Sequence, residues 1–85
     1  MDKTTFLVLS ILFANNAVGK MSGMTVKDIL NTENLNYKEN TFYKILRSLN
    51  SYGLVGIGAK EGRALTFYIT KSGISKILEE KEDEE

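Results

Sequence analysis

Two hydrophobic periods divide the chain. From Phe6 to Phe13 almost every position is apolar, and Phe6, Leu7, Val8, Leu9, Ile11, Leu12 and Phe13 point all round a helical axis. A helix apolar on every side must be covered on every side, so one side is expected against the domain's core and the other against a second copy of the chain. Asp2 or Thr4 is placed to cap this helix, and Asn15-Asn16 breaks it after about Ala14. The two glycines between Val18 and Met24 indicate a loop, with a short strand at Lys20 to Ser22. Thr25 followed by Asp28 has capping-box spacing and opens a short second helix that buries Val26, Ile29 and Leu30.

After a turn over 31–35, with Leu35 tucked inward, Asn36 and Glu39 repeat the cap pattern and open a third helix. Its Phe42, Ile45, Leu46 and Leu49 fall within about a third of the circle, the stripe a helix buries. Gly53 is expected to end it as the residue of positive φ. The period then changes to two. Strands over Leu54 to Gly58 and Ala64 to Thr70 are expected to turn Val55, Ile57, Leu65, Phe67 and Ile69 inward, joined by a tight turn at Ala59-Lys-Glu-Gly-Arg63. Thr70 and Ser72 cap a last helix with a single stripe of Ile74, Ile77 and Leu78, about two turns long before charged residues begin.

The outer face of the third helix holds the candidate chemistry. Asn40, Lys44, Arg47 and Ser51 lie opposite the apolar stripe, flanked by Thr41 and Tyr43, and no acid occurs between Asn40 and Tyr52. Asn, Lys and Arg are side chains that read base edges in a major groove, and hydroxyl groups reach phosphates. An ordinary solvated helix face is the competing reading, although such a face more often carries Glu and Lys in i,i+4 pairs. Lys60 and Arg63 at the hairpin tip, and Lys27 and Lys38 near the starts of the second and third helices, are further candidates for backbone contact. Charged residues are common at hairpin tips in any case.

Three stretches resemble the winged helix-turn-helix family of DNA-binding proteins, particularly its small PadR-like and MarR-like regulators: Thr41-Phe-Tyr-Lys-Ile-Leu-Arg-Ser-Leu49, Tyr52-Gly-Leu-Val55 and Tyr68-Ile-Thr-Lys-Ser-Gly73. The likeness covers about 50 residues from Met24 onward, and as a set it is fairly specific. It implies an α+β fold of three core helices, a two-stranded wing and a short C-terminal helix. The first stretch would be the recognition helix, and the second helix the positioning helix, with Thr25 and Lys27 near a phosphate. The first helix matches no subfamily and the last is very short, so dimerisation is expected to rest mainly on the first helix, through Leu7, Val8, Ile11 and Leu12.

Composition agrees once the charges are located. Eighty-five residues with 11 bases and 11 acids are formally neutral, but residues 79–85 hold six acids and one lysine. The remaining 78 residues carry ten bases against five acids, a net charge of +5. The end Glu79-Glu-Lys-Glu-Asp-Glu-Glu85 reads as a solvated acidic tail that aids solubility, competes with DNA for the basic surface or contacts a basic partner. The chain has no Cys and no His, which removes disulfides, thiol nucleophiles, the usual zinc sites and imidazole chemistry. Its carboxylates are scattered and it has no glycine-rich phosphate loop, so neither an enzyme nor a cofactor site is expected. The run from Phe6 to Ala14 is only nine residues and falls short of a membrane span, and Asp2-Lys3 supplies no positively charged leader, so a cytoplasmic protein is expected.

The sequence therefore predicts a homodimer that binds double-stranded DNA at repeated half-sites, most simply as a transcriptional repressor. Two alternatives stand beside it. The centromere-binding adaptors of tubulin-like plasmid and phage partition systems also resemble this minimal fold, and a winged helix can serve as a protein-interaction module without DNA.

Overall fold

The computed structural model describes the backbone of residues 1–83 and the side chains of residues 1–80. Its order is α1 (Lys3–Ala14), α2 (Val26–Thr32), α3 (Glu39–Ser51), β1 (Val55–Ile57), β2 (Phe67–Ile69) and α4 (Lys71–Asp83). Asp2 caps α1, its carboxylate accepting the Thr5 N–H at 2.7 Å. At the start of α2 both arms of the capping box are formed, Asp28 N–H to Thr25 Oγ1 and Thr25 N–H to Asp28 Oδ2, each 3.1 Å. Of the two candidates for α4, Thr70 is the cap, with its Oγ1 accepting the Gly73 N–H at 3.1 Å.

The first three helices end in one motif. In each, the amide three residues beyond the last helical residue folds back onto a carbonyl five positions earlier: Ala17 to Leu12, Leu35 to Leu30 and Leu54 to Leu49, at 2.9, 2.9 and 3.0 Å. The residue that reverses the chain has positive φ in every case: Asn16 at 56°, Asn34 at 53° and Gly53 at 77°. These are Schellman closures, and only Gly and Asn adopt that conformation readily. Each turn delivers an apolar residue, Ala17, Leu35 or Leu54, to the core or its edge.

Four sequence expectations change. The strand expected at Lys20 to Ser22 is a turn, and the pairing falls instead at Met24, which exchanges two 2.8 Å hydrogen bonds with Phe67. Asn36 does not cap α3. The helix starts at Glu39 after Lys38, which makes no side-chain cap, and Tyr37 packs on Phe42 with ring centroids 5.5 Å apart. That pairing of the residue before the cap with the fourth helical residue is a hydrophobic staple, and it sets where the helix begins. The last helix extends to Asp83 rather than ending near Leu78, and Leu78 is 48% exposed rather than part of a buried stripe. Residues 84 and 85 of the acidic end, and the side chains of 81–83, lie outside the described residues.

The fourth change concerns α1. Val8, Leu9, Ile11 and Leu12 are all buried within the chain's own core. Val8, Ile11 and Leu12 are therefore consumed by the monomer, because α2, α3, β2 and α4 all pack against α1. Only Leu7 among the four expected interface residues keeps partial exposure, and Phe13, 41% exposed, lies about 120° round the helix from it, at the other edge of the outer arc.

The hairpin pairs antiparallel, Val55 with Ile69, Gly56 with Tyr68 and Ile57 with Phe67. Val55, Phe67 and Ile69 are buried and Ile57 packs at the core's edge, so the expected alternation holds. On the other face the Tyr68 ring lies across Gly56, where any Cβ would collide with it. Strand geometry stops early, but pairing resumes at the tip, where Glu61 and Ala64 exchange two 3.0 Å hydrogen bonds. The two-residue loop between them starts with Gly62 at φ 64°, as tight hairpin loops of this length favour.

Candidate nucleic-acid interface

All ten side chains singled out in the sequence are exposed: Lys27, Lys38, Asn40, Thr41, Tyr43, Lys44, Arg47, Ser51, Lys60 and Arg63. The burial of Phe42, Leu46 and Leu49 fixes the roll of α3, and that roll turns Asn40, Lys44, Arg47 and Ser51 outward on successive turns. They are not equally free. Ser51 donates its hydroxyl to the Ser48 carbonyl at 2.6 Å, an internal bond at the end of the helix.

Tyr43 links this face to the core. Its ring meets buried Phe67 edge-on, centroids 6.2 Å apart and planes at 73°, while the Arg47 guanidinium lies 5.9 Å from its centre. A cation over an aromatic face is attracted by the ring quadrupole, so Tyr43 steadies Arg47. The sequence placed Tyr43 on the flank of the polar face, and the structure adds this supporting role.

The start of α2, the first two turns of α3 and the hairpin surround a cleft of about 360 Å³. Lys27 from α2, Tyr43 from α3 and Arg63 from the hairpin line it, three candidates from three elements separated by up to 36 positions. Thr25 also borders the cleft, but its hydroxyl and amide are already engaged with Asp28. Lys27 is thus the free group at this helix start. Lys60 lies elsewhere, in a second cleft of about 230 Å³ between the hairpin and the loop before α2, together with Lys20.

Two residues of this surface were not singled out in the sequence. Glu39 lines the first cleft beside Lys27 and Arg63. Its position one turn before Tyr43 places it on the same side of α3, so the i,i+4 spacing carried the signal. Lys20, expected at the start of a short strand, reaches the hairpin only through the fold: its carbonyl accepts the Ala59 N–H at 2.9 Å. Thr66 completes that brace, donating its hydroxyl to the Ala59 carbonyl at 2.6 Å. The hairpin stem is thereby tied to the body at a point before its tip.

No protein-family model matches the sequence, and no curated protein matches it either. Solved structures do match in shape. TubR from Bacillus megaterium pBM400 superposes with a TM-score of 0.73 at 23% identity, covering 88% of this chain and 80% of TubR. MepR from Staphylococcus aureus, in a complex with DNA, matches with a TM-score of 0.68 at 23% identity over 96% of this chain and 68% of MepR. A candidate DNA-binding protein from Ralstonia eutropha JMP134 matches with a TM-score of 0.70 at 14% identity over 93% and 95% of the two chains. The order of elements, the α2–turn–α3 unit and the hairpin that follows it thus give this chain the winged helix-turn-helix fold, with α3 as the second helix of the helix-turn-helix and β1–β2 as the wing hairpin.

Proposed function

We propose that this chain binds double-stranded DNA sequence-specifically as a homodimer and acts as a transcriptional repressor on repeated half-sites in the cytoplasm. The observation that carries the proposal is the convergence of Lys27, Tyr43 and Arg63 on one cleft beside the acid-free outer face of α3. In such a complex α3 enters the major groove, Arg47 and Asn40 meet base edges, and Lys44, Lys27, Lys38, Thr41, Tyr43 and Ser51 lie toward the backbone. The wing presents Lys60 and Arg63 along the flank of the site. Likeness in fold to MepR, solved in a complex with DNA, supports the DNA-binding reading. Because Val8, Ile11 and Leu12 are inside the monomer, the homodimer contact is proposed for the outer side of α1, at Leu7 and Phe13. For the acidic end, 79–85, a basic protein partner is proposed on its charge in the sequence.

A second reading is a centromere-binding adaptor in plasmid or phage DNA partition. The match to TubR over 80% of its chain is the observation in its favour. The two readings differ in occupancy of DNA: an adaptor spreads cooperatively over tandem repeats, whereas a repressor fills a single operator.

Fluorescence anisotropy on random 30-base-pair duplex across a salt series tests the proposal. A steep fall of log affinity with log salt, with the slope reduced by about one in Lys44→Ala, supports phosphate contacts. Absence of binding at low salt would overturn it and favour the protein-interaction reading.

A further inference from the structure

Within the cleft that carries the proposed DNA contacts sits one residue of the wrong charge for a phosphate. Glu39 is the first residue of α3 and the only acid in that helix. It shares the cleft with Lys27 and Arg63, yet among the described residues the only ion pair joins the Met1 ammonium to Glu80. Glu39 is exposed and has no hydrogen-bond partner there, so its carboxylate is free to accept from a ligand. An acid in the first turn does favour the helix dipole, which accounts for its position along the axis. That effect does not depend on which side of the helix the residue occupies. The roll of α3 puts it on the side of Tyr43, in the cleft that Lys27 and Arg63 also line.

We infer that Glu39 is a specificity-determining residue that accepts a hydrogen bond from the exocyclic amino group of a cytosine in the major groove and repels the backbone elsewhere. The inference rests on the DNA-binding reading above. Three features support it. Glu39 directly precedes Asn40, set at a base edge above, in the first turn of α3, and N-terminal residues of a recognition helix are the ones that approach base edges. Cytosine and adenine both present an amino donor in the major groove, but adenine sets its N7 acceptor beside that donor, where it repels a carboxylate, and guanine presents only acceptors, which leaves cytosine as the matching base. An unpaired carboxylate near phosphates also weakens binding to DNA that offers no compensating donor, which widens the gap between specific and random sequence.

The test compares the wild-type chain with Glu39→Gln in two measurements: selection from a library of duplexes with a randomised central segment, and anisotropy on random duplex at low salt. Thermal melting of both proteins accompanies them. The expected result is that the wild type enriches a cytosine at a fixed position of each half-site, and that Glu39→Gln lowers the preference for it about fivefold or more. On random duplex the variant should bind about two- to fivefold more tightly, because one repulsive charge is gone. If both proteins enrich the same base at every position, Glu39 reads no base and the inference fails while DNA binding stands. Weaker binding of the variant to random duplex, with an unchanged melting temperature, would also overturn it. If the wild type binds no duplex at all, the DNA-binding reading fails and takes this inference with it.

Discussion

The Arg47 guanidinium lies 5.9 Å from the centre of the Tyr43 ring, and that ring meets Phe67 of the core edge-on. An exposed arginine normally loses considerable rotamer freedom on binding, so a side chain already biased toward one position loses less. The contact ties a surface contact residue to the hydrophobic core through a single aromatic ring.

This predicts unequal effects for two changes at position 43. Tyr43→Phe keeps the ring and should alter DNA affinity by no more than about 0.5 kcal/mol. Tyr43→Ala removes both the cation–π contact and the support from Phe67, and should cost about 1 kcal/mol or more in affinity. Titrating both variants against the same duplex decides the matter. Equal losses would mean that the hydroxyl, through a phosphate contact, is what counts.

Arg47 and Lys44 lie on the same face of α3 but are expected to act differently. Arg47→Ala should cost about 1–3 kcal/mol on a selected site and relax preference at one base position, whereas Lys44→Ala should weaken all duplexes alike. Competition binding with single-base variants of the selected site distinguishes them, and equal losses on specific and random DNA for both variants would sink the division.

The start of α3 offers a stability test. Because the Tyr37–Phe42 staple replaces a side-chain cap, Tyr37→Ala should destabilise the fold by about 0.5–1.5 kcal/mol and speed amide exchange in the first turn of the helix. Asn36→Ala should stay within about 0.5 kcal/mol of wild type, as for a surface position without a special role. Urea denaturation of the two variants gives the comparison directly.

Gly53 has φ 77° and open space where a Cβ would go, so substitution there strains the backbone without a clash. Gly53→Ala should therefore cost about 1–2 kcal/mol, the penalty of an L-residue in the left-handed region. Asn34→Gly, at φ 53°, should be nearly neutral, since both residues reach that conformation readily. A denaturation midpoint unchanged by Gly53→Ala would argue against the closure.

A small acid sensitivity should come from Asp2. The Thr5 amide, with the Thr5 hydroxyl, holds its carboxyl below the ordinary aspartate range. A lowered folded-state value means that the contribution is complete above the unfolded value and disappears as pH falls through the folded one. Melting temperature should accordingly fall less between about pH 4.5 and pH 2 in Asp2→Asn than in the wild type, over and above effects common to both. Parallel curves would show that the cap carries no linkage.

Much of this architecture was legible because its causes are local. Thr25 with Asp28 is a capping box wherever the backbone turns helical, Gly53 tolerates positive φ, and the stripe of Phe42, Leu46 and Leu49 rolls α3 so that Lys44 and Arg47 face outward. The closures at Asn16 and Asn34 used the same chemistry in a less visible residue. Asn36 misled because a polar residue three positions before Glu39 matches the cap pattern, while the staple that decides the start depends on two rings meeting in space.

By itself the sequence determined the element order, the inward strand positions and the cationic face of α3, because each follows from a period of 3.6 or 2 and from residue chemistry within a few positions. Tertiary structure alone decided three things. It buried Val8, Ile11 and Leu12 inside the monomer, since an all-apolar helix can be enclosed by four neighbouring elements of its own chain as well as by a second copy. It pinned the stem of the wing to Lys20 through a hydrogen bond spanning 39 positions, from Ala59 to a loop that the sequence suggested as a strand. And it brought Glu39 into the cleft with Lys27 and Arg63, a meeting of three charges set by the packing of α2, α3 and the wing rather than by any spacing along the chain.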